Sequence, residues 1–367
     1  MSGSSTPTYW DYLQLNNLLD QQGGLEGDET QLMPDELHFI VVHQTMELWF
    51  KLLLRELRLA RDHLAVPNVP EERIPYVVHH LSRVTEIIKL CVQQFQVVET
   101  LTPQDFLAFR GKLSPASGFQ SFQMREIEIL LGLEESERVL LGKIGALDYL
   151  KTMSSTSPGG TLAWEHIAKA REEQTLLSAM NNWLYRTPIQ GSGPDDAGDA
   201  EAVQAFIDSY IEAVGAEGAG QLERLVESGV GTREALAPRF EGTTKQVEEF
   251  LLAGDVDEAE RAQTKRVRAA LVFIESYREL PLLAWPRLLL DTIVELEQQM
   301  VIFRARHARM VERVIGRRVG TGGSSGVDYL ERTTHYRVFK DLWGVRTVLV
   351  KKTSLPDLSS PDFYGFA

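Results

Sequence analysis

Residues 303–326, FRARHARMVERVIGRRVGTGGSSG, join the end of a long amphipathic helix to a glycine-rich loop. Around one histidine, His307, apolar side chains recur at offsets of three, four and seven residues, which is typical of the buried stripe of a helix. An imidazole on such a stripe loses hydration free energy unless its ring nitrogens find partners. This stretch alone leaves two interpretations open: a satisfied core histidine, or an axial ligand of a buried flat cofactor such as haem.

A second long helix is predicted from near Pro34, through PDELHFIVVHQTMELWFKLLLRELRLARDHL. Proline suits a first helical turn, and the acidic residues after it lie where a helix N-terminus favours negative charge. His43 shares a face of this helix with Phe39 and Phe50, so it too points toward apolar neighbours. Each histidine alone is compatible with an ordinary core, but two of them on separate helices are compatible with the two sides of one pocket.

A third segment, ETLTPQDFLAFRGKLSPASGFQSFQMREIEILLGL, predicts a short helix, a polar turn and a further helix from about Phe119. Thr102 and Pro103 are typical of a helix start. The short helix places Phe106 and Arg110 on one face. A guanidinium can bind a carboxylate through two parallel hydrogen bonds, so Arg110 is a candidate for carboxylate binding, with a snorkelling surface arginine as the alternative.

Taken together and in this order, the three segments resemble the tryptophan 2,3-dioxygenase family. The similar motifs are FIVVHQTMELWFK around His43, FLAFRGKLSPASGFQS around Arg110, and the helix of His307 followed by GTGGSSG. The N-terminal TYWDYLQLNNLLDQQ also resembles the opening helix of that family. The resemblance extends in blocks from about Tyr9 to Val350. It implies an all-α fold, with a helical haem-binding core and a helical insertion.

The resemblance also implies an activity. In that family a ferrous haem is held by the histidine that matches His307, and both atoms of dioxygen are added across the indole C2–C3 bond of L-tryptophan, which gives N-formylkynurenine. We therefore expect haem b as the cofactor, and dioxygen with L-tryptophan or a close indole amino acid as substrates. His43, the candidate catalytic residue, matches the distal histidine that accepts a hydrogen bond from the indole N–H. Arg110 matches the arginine that binds the substrate carboxylate, and Thr321 the threonine at the ammonium and carboxylate end.

Further positions match residues that surround the ligands in the family. The positions that match substrate-pocket residues are Phe39, Phe106, Ser117 and Gly118. The positions expected beside the cofactor are Phe303, Ser117 and Gly118. The positions that match N-terminal residues closing the site of a neighbouring subunit, which implies a homotetramer, are Tyr9, Tyr12 and Leu13.

Two positions depart from the family pattern. Phe303 stands where tryptophan is usual, four residues before the histidine that binds the haem, and Pro34 replaces the histidine of an HDE motif. Relatives with this architecture include monooxygenases of natural-product pathways, so an alternative is a related monooxygenase that puts one oxygen atom on tryptophan or a substituted tryptophan, for example a β-methyl one. A haem-binding sensor or carrier without turnover is a further alternative, but such a protein does not need a clamp for an amino acid.

Composition argues against other classes of protein. The formal net charge is −14, whereas nucleic-acid binding is expected to leave a basic footprint. The single cysteine, Cys91, excludes an internal disulfide framework and suits a reducing cytoplasm. The start, MSGSSTPTYW, lacks the apolar core of a signal peptide, and no apolar run has membrane-spanning length. We expect a cytoplasmic protein that binds neither nucleic acid nor membrane.

The domain organisation is predicted from a composition change. The stretch RTPIQGSGPDDAGDAEA, Arg186–Ala202, is rich in glycine, proline and aspartate and is typical of a flexible boundary. The predicted parts are a disordered tail at residues 1–7, a first part of the catalytic core at 8–190, a helical insertion at 191–280, and a second part of the core at 281–367.

Overall fold

The computed structural model describes residues 6–140, 144–318, 320 and 326–365. Within these ranges every regular element is a helix, and one isolated bridge pairs Ile189 with Ser192. The predicted all-α fold is confirmed.

The α-helices of the described residues are, in chain order, α1 (Tyr9–Leu13), α2 (Leu15–Leu18), α3 (Glu36–Leu64), α4 (Ile74–Val98), α5 (Pro103–Phe109), α6 (Phe122–Leu131), α7 (Ala146–Ser154), α8 (Pro158–Glu172), α9 (Leu176–Tyr185), α10 (Asp199–Glu227), α11 (Arg233–Leu251), α12 (Glu258–Ser276), α13 (Ala284–Ile315), α14 (Gly326–Thr333) and α15 (Lys340–Val348). Short 3₁₀ helices span Glu29–Gln31, Glu71–Arg73, Arg110–Leu113, Gly118–Gln120, Glu135–Glu137, Pro281–Leu283, Lys352–Ser354 and Pro361–Tyr364.

The described residues form two compact units. Unit 1 comprises the described residues within 1–56, 83–173 and 298–336, and unit 2 those within 57–82, 174–297 and 337–367. The predicted insertion, residues 191–280, lies inside the sequence range of unit 2, and its status as an insertion stays a prediction. Of the predicted tail, residues 1–5 lie outside the described residues.

In unit 1, local capping explains where the site-bearing helices begin and end. The side-chain oxygen of Thr102 accepts the backbone N–H of Asp105 at 3.2 Å, and Pro103 occupies the first turn of α5, as the sequence predicted. The long helix α13, which carries His307, stops before Gly316, whose φ of +64° favours glycine. Elsewhere in the unit, α6 and α7 both pack against α8.

Unit 2 has its own core. There α10 packs along α11, and α12 packs against α9 and α15. Among its fully buried side chains are Tyr210, Phe273 and Tyr364. None of the helices in the described part of the chain is both long and apolar enough to cross a membrane.

Candidate functional site

His307 lies in the last third of α13, and its imidazole is half-buried. The ring of Phe95 stacks against it, with centroids 5.4 Å apart and planes inclined by 13°. Burial, with smaller electrostatic contributions from His43 and Arg125, lowers the pKa of His307 to about 4. The ring is therefore neutral near pH 7, and no described residue hydrogen-bonds to its nitrogens. A neutral imidazole with an available lone pair is the form that can bind a metal.

His43 lies on α3, with its ring centroid 4.0 Å from that of Phe39. Its Nδ1 lies 2.7 Å from the carbonyl oxygen of Phe39, which can only accept, so we assign the ring proton to Nδ1. This tautomer leaves Nε2 as a hydrogen-bond acceptor. Burial lowers the pKa of His43 below its ordinary value, while the hydrogen bond to Phe39 and the charge of Glu47 partly oppose that shift.

Phenylalanine rings border the His43 side of the site. The ring of Phe39 lies 5.9 Å from that of Phe106 and 5.6 Å from that of Phe109, centroid to centroid. Phe106 and Phe109 meet edge to face at 5.4 Å. The structure thus brings together Phe39 and Phe106, both predicted from the sequence, in an aromatic wall next to His43.

A second set of rings borders His307. Phe303 is 5% exposed, and its ring lies 5.1 Å from Phe95 and 6.2 Å from Phe50. Its centroid lies 6.1 Å from that of His307. Because Phe95 and Phe303 are hydrocarbon only, they border the imidazole without offering it a hydrogen bond.

Arg110, Ser117 and Gly118 follow α5 along the chain. Arg110 is half-buried and begins a 3₁₀ helix directly after α5, the helix that carries Phe106. Ser117 caps the next 3₁₀ helix, because its hydroxyl accepts the backbone N–H of Phe119 at 3.3 Å. A Cβ added to Gly118 would meet no atom within 4 Å, so protein packing does not demand a glycine there. The ligand-binding roles of these residues stay predictions.

A buried ion cluster on α6 was not foreseen from the sequence. Glu128 is 2% exposed, and its carboxylate lies 2.6 Å from Arg138, 2.9 Å from Arg304 and 3.1 Å from Arg125. Burial by itself raises the pKa of Glu128, but the three guanidinium groups outweigh it and lower the pKa to about 2. Arg304 precedes His307 by about one turn of α13, so the cluster fixes this part of α13 against α6.

The remaining predicted positions do not belong to the aromatic wall next to His43 or to the rings that border His307. Tyr9 and Tyr12 lie on α1 and are 71% and 80% exposed, and Leu13, at the end of the same helix, is also exposed. Thr321 lies outside the described residues.

Comparison with known proteins places the chain in one family. A sequence profile described as tryptophan 2,3-dioxygenase matches residues 1–349. The chain belongs to the tryptophan 2,3-dioxygenase family. It is 48% identical to tryptophan 2,3-dioxygenase 2 of Ralstonia nicotianae, with 98% of each chain covered. It is 46% identical to tryptophan 2,3-dioxygenase of Sorangium cellulosum, over 98% of this chain and 87% of that protein. Tryptophan 2,3-dioxygenase B of Danio rerio is 36% identical over 98% of this chain and 85% of its own length.

Membership of this family, a haem-dependent one, confirms the resemblance seen in the sequence. The residues around His307 fit a haem group. The imidazole is neutral, part of its surface remains open, and its neighbours Phe95 and Phe303 are apolar, as a hydrophobic macrocycle requires.

Two aromatic residues of the site were missed from the sequence, Phe95 and Phe109. Phe109 lies three residues after Phe106 and directly before Arg110, so helical spacing could have identified it. Phe95 lies within the apolar pattern of α4, where nothing local distinguishes it from other core residues. Only its contact with His307 assigns it to the site.

Proposed function

We propose that this protein is a haem-dependent oxygenase that cleaves the indole C2–C3 bond of L-tryptophan with dioxygen and produces N-formylkynurenine. The observation that carries the proposal is a pair of neutral histidines bordered by phenylalanine rings in unit 1, His307 on α13 and His43 on α3. One histidine has a lone pair available for a metal, and the other has one available for an indole N–H. Membership of the tryptophan 2,3-dioxygenase family supports the reaction class.

His307 would hold haem b through a ring nitrogen. Its lowered pKa supports this role, because a protonated imidazole has no lone pair to donate. Phe303, with Ser117 and Gly118, would line the cofactor. The bound haem in its ferrous state supplies the chemistry of dioxygen, while the protein supplies orientation and a dry environment.

The aromatic wall would bind the indole ring. Phe39 and Phe106 offer flat hydrocarbon surfaces, and His43 Nε2 would accept a hydrogen bond from the indole N–H. Burial keeps the pKa of His43 low, so its imidazole is a weak base. We therefore assign it the task of orienting the indole, with the proton remaining on the indole nitrogen.

The polar end of the substrate would be held by residues on the chain after α5 and after α13. The guanidinium of Arg110 would bind the carboxylate through its two-pronged donor edge. Ser117 and Gly118 would line the same end, where the missing side chain of Gly118 leaves room. Thr321 would contact the ammonium and carboxylate groups.

We further propose a homotetramer in the cytoplasm. Tyr9, Tyr12 and Leu13 are exposed on α1, and exposed apolar side chains grouped on one helix are typical of a surface that binds another chain. These residues would close the site of a neighbouring subunit. Sedimentation of the intact protein, compared with a variant in which Tyr9 and Tyr12 are both serine, tests the assembly.

Mass spectrometry of the product formed from reduced, haem-loaded protein, L-tryptophan and ¹⁸O-labelled dioxygen tests the reaction. Two labelled atoms in N-formylkynurenine are expected. One labelled atom in the product would instead support the related monooxygenase, acting on tryptophan or a β-methyl tryptophan. Haem binding without any product would support a sensor or carrier.

A further inference from the structure

Glu36, the first residue of α3, is a buried carboxylate at the edge of the proposed site. It is 3% exposed, and Oε2 accepts the backbone N–H of Met33 at 3.1 Å. The same oxygen accepts a hydrogen bond from Nζ of Lys112 at 2.9 Å. A carboxylate this deeply buried needs a charged partner, because an uncompensated buried charge strongly destabilises a protein.

Lys112 lies two residues after Arg110, on the same 3₁₀ helix, Arg110–Leu113. Besides Glu36, it contacts the carboxylate of Glu26 at 3.1 Å. The hydrogen bonds that the Lys112 ammonium donates to Glu36 and, to a smaller extent, to Glu26 raise the pKa of Lys112, so the ammonium is charged at neutral pH. The lysine therefore bridges two carboxylates, that of Glu36 at the start of α3 and that of Glu26 in the segment before it.

Glu26, one of the two carboxylates that Lys112 contacts, lies in a tight turn that contains glycines. The backbone N–H of Asp28 donates to the carbonyl oxygen of Gly23 at 3.2 Å, and a Cβ on Gly23 would lie only 2.5 Å from the Asp28 nitrogen. Gly24 has a φ of +65°, which glycine adopts without strain. The turn is thus too tight for other residues, and its geometry is determined by the glycines.

The ion pair between Glu36 and Lys112, here called the bridge, connects the two parts of the chain that carry the proposed substrate site. Phe39 and His43, on the side of the indole ring, lie three and seven residues after Glu36 on α3. Arg110, on the carboxylate side, lies on the short 3₁₀ helix that Lys112 attaches to the start of α3. Without the bridge, that helix would keep its covalent link to α5 but lose its ionic link to α3.

We propose that Glu36 and Lys112 are positioning residues that set the distance between Arg110 and the aromatic wall, and so make the site selective for ligands that carry both an indole ring and a carboxylate. The inference rests on the proposed function, in which Arg110 binds the carboxylate. Neither residue touches the substrate. They act through Arg110, so their loss should affect only the ligands that Arg110 binds.

Calorimetric titration of the haem-loaded protein without dioxygen tests this, with L-tryptophan, indole-3-propionate and tryptamine as ligands. In Glu36→Gln and Lys112→Met we expect the Kd of the two carboxylate ligands to rise roughly tenfold, because small displacements of a binding group cost that much or more. The Kd of tryptamine, which has no carboxylate, should change by less than about twofold. Lys112→Arg keeps the ion pair and should bind like the parent protein.

Glu86→Gln is the matched control, because it removes the carboxylate of an exposed pair with Lys89, at 3.0 Å in the same unit, and should leave all three affinities unchanged. Equal losses for all three ligands in Glu36→Gln and Lys112→Met would mean a merely structural role and overturn the inference, as would parent-like binding in both. The Arg110→Ala variant distinguishes a failure of the proposed substrate site from a failure of the positioning role. If it binds the carboxylate ligands like the parent, the proposed site itself is wrong. If it weakens them while Glu36→Gln and Lys112→Met do not, only the positioning role is wrong.

Discussion

The histidine–phenylalanine region of unit 1 and the arginine network of unit 2 both withdraw ionisable side chains from water, but in opposite ways. In unit 2, Arg266 donates to the two carboxylate oxygens of Asp199, at 3.0 and 2.7 Å, and to the carbonyl oxygens of Tyr185 and Thr187. In unit 1, each imidazole contacts one or two phenylalanine rings, and burial lowers its pKa, which favours the neutral form.

This difference separates a structural from a functional use of burial. A buried charge that serves the fold is paired, because leaving it unpaired costs several kcal/mol. An imidazole that becomes neutral instead retains a nitrogen lone pair for something outside the chain. Variants in the two regions should therefore have different effects: those of the histidine–phenylalanine region should lose ligands, and those of the arginine network should lose stability.

The largest effect is expected at His307. His307→Ala should remain folded but lose nearly all bound haem, because the variant lacks the nitrogen that would hold the iron. Haem content per protomer, measured from the absorption spectrum of the purified protein, checks this. His335→Ala, which changes an exposed histidine of the same unit, should keep the parent haem content. A His307→Ala protein with the parent haem content and spectrum would refute the assignment.

The next largest effect belongs to the network of unit 2. Arg266→Met leaves the buried carboxylate of Asp199 without its guanidinium, and should lower the free energy of unfolding by about 3–5 kcal/mol. Chemical denaturation measures the change, and the folded fraction should still bind haem. The control is Arg261→Met on the same helix, whose partner Glu258 is exposed, with an expected cost of about 0–1 kcal/mol. If both variants lost the same free energy of unfolding, the buried ion pair of Arg266 would contribute no more to stability than the exposed pair of Arg261.

Arg110→Ala should reduce binding and turnover without reducing stability. Removing one partner of a charge-assisted pair in a partly dry site costs about 2–5 kcal/mol, so kcat/KM for L-tryptophan should fall by at least roughly tenfold. Arg110→Lys should restore little of the lost kcat/KM, because an ammonium lacks the planar fork of a guanidinium. Steady-state kinetics and the unfolding midpoint provide the two readouts. Near-parent efficiency in the alanine variant would show that the carboxylate is bound elsewhere.

A pH dependence should identify Glu128 as a structural charge within unit 1. Its pKa of about 2 lies below the ordinary value of 4.5, so its contribution to stability is fully present above pH 4.5 and disappears as the pH falls toward 2. That contribution is about 3 kcal/mol. The unfolding free energy of the parent should exceed that of Glu128→Gln at neutral pH, and the gap should close between pH 4.5 and 2. A gap that is independent of pH would show that the carboxylate charge does not cause it.

The smallest effect is expected at His43. His43→Ala should keep its haem and weaken tryptophan binding by only about 0.5–1.5 kcal/mol, the usual net contribution of one neutral hydrogen bond. The affinity for N1-methyltryptophan, relative to the affinity for tryptophan, should increase in this variant, because the methyl group no longer meets the imidazole. Titration with both ligands measures this. Complete loss of activity at unchanged affinity would make His43 a base, and loss of haem would make it a ligand.

Local sequence signals were sufficient for the helices that carry the site. The apolar periodicity around His43 and His307 predicted two long helices, and α3 and α13 confirm them. Thr102 and Pro103 predicted the start of α5 correctly. The helix expected from about Phe119 begins instead at Phe122, because a separate 3₁₀ turn intervenes and Ser121 provides the cap.

Contacts between distant segments could not be foreseen. The partners of Glu128 come from α6, from the chain after it, and from α13. Nothing near Lys112 indicates that its partners are Glu26 and Glu36. An ion pair depends on how helices pack, and a side chain has the same local pattern whether its partner is present or not.

By itself, the sequence of this protein determined the all-α class, the long helices with inward histidines and the resemblance to a family, because periodicity, caps and motifs act over a few residues. Only the tertiary structure decided which charges are buried and paired and which imidazoles become neutral. Burial and pKa depend on the atoms that other parts of the chain place around a group. The same histidine is therefore an ordinary core residue in one packing arrangement and a candidate ligand in another.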